Sequence, residues 1–183
     1  MSDRFDAYRP FYNVACIRWK RFGRVLKKLH MTARDPFDLQ RFMKAQDPVF
    51  EQVRTELRQG QKQSHWMWFI FPQLKGLGNS PTAVEFAISS LQEATAYSHH
   101  PILGPRLREC TQLVNLVRGH SISEIFGYPD ELKFRSSMTL FARATSANAV
   151  FSEALEKYFF GEPDPLTIGL LAGPRGSVSP EQP

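Results

Sequence analysis

Apolar residues recur at spacings of three and four along most of this chain, with charged residues between them. Leu107, Cys110, Leu113, Val114 and Val117 keep that spacing from Arg106 onward, and Val150, Phe151, Ala154, Leu155, Tyr158 and Phe159 keep it again. A period near 3.6 with one apolar face predicts amphipathic helices around a common core. Two earlier helices follow from the same reasoning. One carries Phe37, Leu39, Phe42 and Met43; the next carries Val49, Phe50, Val53 and Leu57, with Arg54 and Arg58 facing outward. Pro81 to Tyr97 reads as one long helix with Val84, Ala87, Ile88, Leu91 and Ala94 along a face.

The boundaries are marked by capping chemistry. Asp35-Pro36, Asp47-Pro48, Ser80-Pro81 and Asp164-Pro165 each set a short polar side chain before a proline. A side-chain acceptor at the N-cap and a proline at the first helical position satisfy or remove the free N–H groups of a helix start. Ser121 and Glu124 have the spacing of a capping box, Asp130 reads as the cap of residues 131–144, and Gly60, Gly119, Gly127 and Gly161 read as stops. No internal repeat is visible. The expected fold is all-α, a single globular domain of about seven or eight helices around a central Trp/Phe-rich segment.

That segment, residues 64–73, reads Ser-His-Trp-Met-Trp-Phe-Ile-Phe-Pro-Gln. It cannot face water on all sides, so it belongs in the middle of the domain. With helical neighbours, and with Ser64 as N-cap and Pro72 as stop, it predicts a short helix. Two roles remain open for it. It is either plain core, with the indole N–H groups bonded to nearby carbonyls, or the wall of a ligand pocket in which His65 and Gln73 supply polar groups.

Charge changes the picture at one end only. Of the 23 basic and 18 acidic residues, eight basic and two acidic fall in residues 1–30, which leaves 15 and 16 for the rest. The remainder therefore has no electrostatic footprint for nucleic acid. The basic segment could form a loose amphipathic helix from about Ala15 to Leu29; alternatively Met31 is the natural start. After Gly173 the chain is Gly, Pro, Ser and Glu with little to bury. The expected organisation is a basic extension over 1–30 outside the fold, a helical domain over 31–172 and a disordered tail over 173–183. Cys16 and Cys110 lack metal-ligand or redox spacing, which fits a reducing, cytoplasmic compartment, and no apolar stretch has the length of a membrane span.

Several unusual strings now stand in order: 35–42 (Asp-Pro-Phe-Asp-Leu-Gln-Arg-Phe), 64–73, 87–91 (Ala-Ile-Ser-Ser-Leu) and 100–107 (His-Pro-Ile-Leu-Gly-Pro-Arg-Leu). They are followed by 125–127 (Ile-Phe-Gly), 132–141 (Leu-Lys-Phe-Arg-Ser-Ser-Met-Thr-Leu-Phe) and 159–165 (Phe-Phe-Gly-Glu-Pro-Asp-Pro). In these strings the chain resembles the bacterial and fungal family known as domain of unknown function 1810, over roughly residues 34–171. The resemblance implies a mainly helical fold and no established activity. Some members carry the label calpastatin, the calpain inhibitor. Inhibitors of that type look like polar, disordered repeats, so the label does not suit a chain rich in Trp and Phe.

No phosphate loop, zinc-protease or serine-hydrolase motif is present, and His99-His100 has no partner ligand at a metal-binding offset. No cofactor or metal is expected. The strongest constellation is Lys133, Arg135, Ser136, Ser137 and Thr139, where a cation and hydroxyls beside apolar residues suit an anionic ligand; the alternative is a solvated face with Lys133 paired to Asp130 or Glu131. Three function classes follow. The first is a domain binding a small anionic or nucleotide-like ligand, with Trp66 or Trp68 stacking, Lys133 or Arg135 holding charge, the Ser136 and Ser137 hydroxyls beside them, and Gln73 assisting. The second adds hydrolysis of an N-glycosidic or phosphoester bond, with His65 as acid or base and a carboxylate such as Glu109, Glu124 or Asp130 assisting. The third is a non-catalytic interaction module in which the aromatic segment is simply core. The composition leaves the oligomeric state open.

A terminal segment with mixed apolar spacing buries little area. Deleting residues 1–30 is expected to change the melting temperature by little; a truncated chain starting at Met31 that fails to fold would make the extension part of the core.

Overall fold

The computed structural model describes residues 35–173, so the extension over 1–30 and the tail beyond Gly173 lie outside the described residues. The chain divides into two units between Pro36 and Phe37. Asp35 and Pro36, the described residues of the first, are exposed. Everything that follows concerns the second.

Ten helices and no strand occur among the described residues: α1 (Gln40–Gln46), α2 (Phe50–Gln59), α3 (Met67–Ile70), α4 (Pro81–Glu85), α5 (Leu91–His99), α6 (Leu103–Leu116), α7 (Ile122–Phe126), α8 (Asp130–Ala144), α9 (Ala149–Phe159) and α10 (Pro165–Ala172). The protein is all-α. Helix α8 is the central element, packed by α3, α5, α7, α9 and α10, while α6 closes the far side against α2, α5 and α9. It is buried nearly all round, including Ser136, Ser137 and Thr139. Ser136 and Thr139 sit in the core by donating to carbonyls one turn back, Leu132 O at 3.0 Å and Arg135 O at 2.9 Å. Around α8 the rings of Phe71, Phe126, Phe134, Tyr97, Phe141 and Phe151 meet at centroid separations of 5.0–5.9 Å.

The expected helix from Pro81 to Tyr97 is two helices, which accounts for part of the excess over the seven or eight expected. Between them Ile88 leaves the helix and pairs with the loop after the aromatic segment: its N–H donates to Gln73 O at 2.8 Å and its carbonyl accepts from Lys75 N–H at 2.8 Å. Ser90 then starts α5, accepting from Glu93 N–H at 3.2 Å, and the Glu93 carboxylate takes the Ser89 N–H at 2.8 Å and the Ser89 hydroxyl at 2.6 Å. Arg41 locks this break. Its guanidinium reaches Glu93 at 2.7 Å and the carbonyls of Glu85 at 2.9 Å and Ala87 at 3.0 Å, and it also bonds the carbonyls of Phe37 and Asp38. The Arg41–Glu93 pair, with Glu93 only 3% exposed, sits at the break where the apolar stripe predicts a continuous helix, and Val84 is left 56% exposed.

Other boundaries divide along the same line between local and tertiary partners. Ser80 and Asp164 cap α4 and α10 before their prolines, and Ser121 with Glu124 forms the capping box of α7. Asp47 and Asp130 do not cap. Asp47 ends α1 and pairs with Arg106 at 2.8 Å; Asp130 lies inside α8 and pairs with two lysines. Asp35 is no cap either, since α1 begins after Leu39 without a side-chain acceptor. The aromatic segment holds only the four-residue α3, and Ser64 does not cap it.

Helix α6 starts at Leu103, earlier than the apolar spacing suggests, and Gly104 makes that start possible. A Cβ there would lie 2.1 Å from the Ser98 carbonyl oxygen, so α5 and α6 meet backbone to side-chain-free backbone. Gly104→Ala is expected to destabilise the fold by about 1–3 kcal/mol, read as a lower midpoint in chemical denaturation with an unchanged slope.

Candidate functional site

Helix α2 ends at Gly60, whose left-handed backbone (φ +68) turns the chain back across the helix's last turn. Residues 63–66 therefore pass in front of Glu56, which is buried on the face of α2 that also carries Val53 and Leu57. Its carboxylate accepts from Gln63 N–H at 2.8 Å, Ser64 N–H at 3.1 Å, the Ser64 hydroxyl at 2.5 Å, the Gln52 amide at 3.0 Å and the Trp66 indole N–H at 2.8 Å. Burial pushes this carboxyl up. The bonds from Ser64, Gln63 and Trp66 together outweigh it and hold the group at about 2, so Glu56 is a charged anchor. Anchored by it, the Trp66 ring packs against Phe71 and Phe126, each 6.2 Å away between centroids.

Beside this anchor lies a cluster of charges. The Lys62 N–H donates to Ile125 O at 2.7 Å, and its ammonium sits 5.4 Å from the centre of the Trp66 ring. That ammonium meets one oxygen of Asp130 at 2.7 Å, while Lys133 meets the other at 2.7 Å and lies 4.8 Å from the centre of the Trp68 ring. The three charged side chains are 9%, 15% and 20% exposed for Lys62, Asp130 and Lys133, so water screens them weakly. Burial raises the Asp130 carboxyl, but Lys133 and Lys62 prevail and keep it below its ordinary value. Two ammonium groups share one carboxylate, so these three side chains by themselves sum to one positive charge next to the half-buried Trp68.

The sequence-predicted site residues separate into two groups. Trp66 is core, 1% exposed, so its ring offers no face to a ligand from solvent. Trp68 and Lys133 come together as described. His65 is exposed and makes no hydrogen bond among the described residues, and Gln73 is half-buried with its carbonyl taken by Ile88. Arg135 turns away: it bonds Glu162 O at 3.2 Å and Pro163 O at 3.4 Å, pairs with the Glu162 carboxylate at 3.4 Å and covers the Phe159 ring. Ser136 bonds Asp164 at 3.2 Å and Thr139 accepts from Asp164 N–H at 2.8 Å, so these side chains hold the loop between α9 and α10. Ser137 is fully buried, and its hydroxyl has no hydrogen-bond partner among the described residues. Arg135 parts from Lys133 because two residues along a helix point about 200° apart. Ser136 and Ser137, three and four residues on from Lys133, lie nearer its side of α8 but are buried.

Of the candidate carboxylates, Glu109 pairs with Arg54 at 2.7 Å and Glu124 serves the capping box; only Asp130 joins the cluster. Among the described residues no group of three or more His, Cys, Asp or Glu side chains could hold a metal. Burial pushes the Cys110 thiol up to about 12, which leaves it no use as a nucleophile. No helix among the described residues is long and apolar enough to cross a membrane. Sequence reasoning missed Lys62, which carries no local signal, and Glu56. The latter had one: a carboxylate at i+3 from Val53 on an otherwise apolar face must find partners if it is buried.

Residues 36–171 match the family described as "Protein of unknown function (DUF1810)". The crystal structure of the conserved hypothetical protein Rv1873 from Mycobacterium tuberculosis is similar at 63% identity, covering 75% of this chain and 99% of that one with a TM-score of 0.75. No curated protein matches the chain.

Because Glu56 titrates at about 2 in the fold against an ordinary 4.5, its stabilising contribution is whole above pH 4.5 and is lost as pH falls towards 2. Glu56→Gln is expected to cost about 3 kcal/mol near neutrality. In denaturant titrations the gap between wild type and variant should close as the solution is acidified through that window; a gap that persists at pH 2 would remove Glu56 as the anchor.

Proposed function

The chain belongs to the DUF1810 family of proteins of unknown function, and we propose that it binds a small anionic, nucleotide-like ligand at Trp68 and Lys133. The observation that carries this reading is the Lys62–Asp130–Lys133 cluster, two ammonium groups on one carboxylate, beside a half-buried indole. An aromatic ring laid on Trp68 would set a phosphate or carboxylate against Lys133, and the weak screening makes that contact stronger than at an open surface. The loop of Gln73 and the exposed His65 border the aromatic segment and are the remaining polar groups available to such a ligand. The reading sets the protein in a reducing, cytoplasmic compartment, which the free, buried Cys110 supports.

Binding needs no chemical step. A hydrolytic version adds one, with His65 as acid or base on an N-glycosidic or phosphoester bond, and it is separated by incubating the protein with the bound compound and assaying for free base or phosphate. A second reading, the non-catalytic interaction module, is favoured by a different observation. Trp66 is plain core, and Tyr128, Leu132 and Phe160 are 83%, 48% and 92% exposed, which leaves apolar surface uncovered.

A thermal-shift screen of nucleotides and sugar phosphates is expected to yield at least one stabilising compound. Trp68→Ala and Lys133→Ala should each weaken its binding about tenfold, while the fold survives. If no anionic aromatic compound shifts the transition, the ligand reading fails and the interaction module stands.

A further inference from the structure

We propose that Lys62 is the positioning residue of this site: by sharing Asp130 it leaves the charge of Lys133 free for a phosphate-bearing ligand. The inference rests on the binding reading above. Asp130 offers two carboxylate oxygens, and each accepts one ammonium at 2.7 Å. A Lys133–Asp130 pair alone would be neutral and would give an anion little to approach. Lys62 on the second oxygen turns that pair into a cluster with one net positive charge.

The two lysines are not equivalent. Lys62 is the more buried, 9% against 20% exposed, and its backbone N–H is tied to Ile125 O at 2.7 Å with the Trp66 ring under its ammonium. Lys133 is the more open cation and lies over Trp68, the half-buried indole. Lys133 therefore touches the ligand, and Lys62 acts on it through Asp130. Of the nearest charged side chains along α8, Glu131 is bonded to the Ser123 hydroxyl and Arg135 to Glu162, rather than to the cluster. A phosphate monoester, with close to two negative charges at neutral pH, gains most from such a site, and a monocarboxylate gains less.

The test is calorimetric titration of the full chain with AMP and with inorganic phosphate. Lys62→Gln is expected to weaken both by about tenfold although it does not touch the ligand, and Asp130→Asn to tighten both by a similar factor. The double variant K62Q/D130N restores the net charge and should bind within a few fold of wild type; Lys62→Arg keeps charge and affinity. Lys133→Gln weakens binding in every background. If Lys62→Gln binds as wild type does, or a folded double variant fails to recover, the positioning role is overturned while the anion site stands. If wild type binds neither probe, the site itself is overturned and this role with it. Should either single variant not fold, K62Q/D130N and Lys62→Arg decide the matter by the same affinities.

Discussion

A buried carboxylate, Glu56, fixes the part of the molecule on which the rest depends. An ionised group out of water is costly unless it is bonded at nearly every lone pair. Glu56 meets that demand with donors drawn from the 63–66 segment and from α2 itself. In doing so it dictates where Trp66 sits, and through Trp66 where Phe71 and Phe126 can pack. A neutral, apolar side chain at position 56 would bury as much surface and specify none of this. The anchor is thus a device of specificity, selecting one arrangement of an aromatic segment that could fill a core in many ways.

Arg41 and Glu93 play the same part at the other side of the segment. Arg41 gathers the carbonyls of Phe37, Asp38, Glu85 and Ala87 and the Glu93 carboxylate, so residues distant in sequence converge on one guanidinium. That convergence bends the chain at Ile88 and lets its backbone pair with residues 73–75. The aromatic segment is therefore held from both ends, by Glu56 before it and by the Ile88 pairing after it. Trp68 lies on a platform whose two edges are hydrogen-bonded, the condition under which a side chain can present a fixed face to a ligand.

On that platform the charges of the candidate site are set by what α8 does elsewhere. Arg135, Ser136 and Thr139 are consumed by the loop that leads into α10. Only the turn that carries Asp130 and Lys133 faces the indoles. The site is accordingly smaller than the basic and hydroxyl-rich string suggests, and its second cation comes from Lys62, far away in the chain. Sharing one carboxylate between two ammonium groups both stabilises the lysines against burial and keeps a net charge in place.

Much of the fold was legible residue by residue. Apolar periodicity located α2, α6 and α9, and local chemistry located the starts of α4, α7 and α10, because Ser80, Ser121 and Asp164 bond N–H groups within three residues of themselves. Such contacts are decided by sequence neighbours alone. The central place of the aromatic segment was legible for a similar reason, since no surface could hold it. Where a side chain's partner lies far along the chain, the sequence was silent. Asp47, Asp130 and Ser64 look like caps, yet each is claimed by a distant group: Arg106, Lys62 with its neighbour Lys133, and Glu56. Which of Trp66 and Trp68 is core and which is half-open follows from the Glu56 bond to one of them. Both tryptophans look alike in sequence, and only the tertiary structure, by supplying a buried acceptor to one, makes them different.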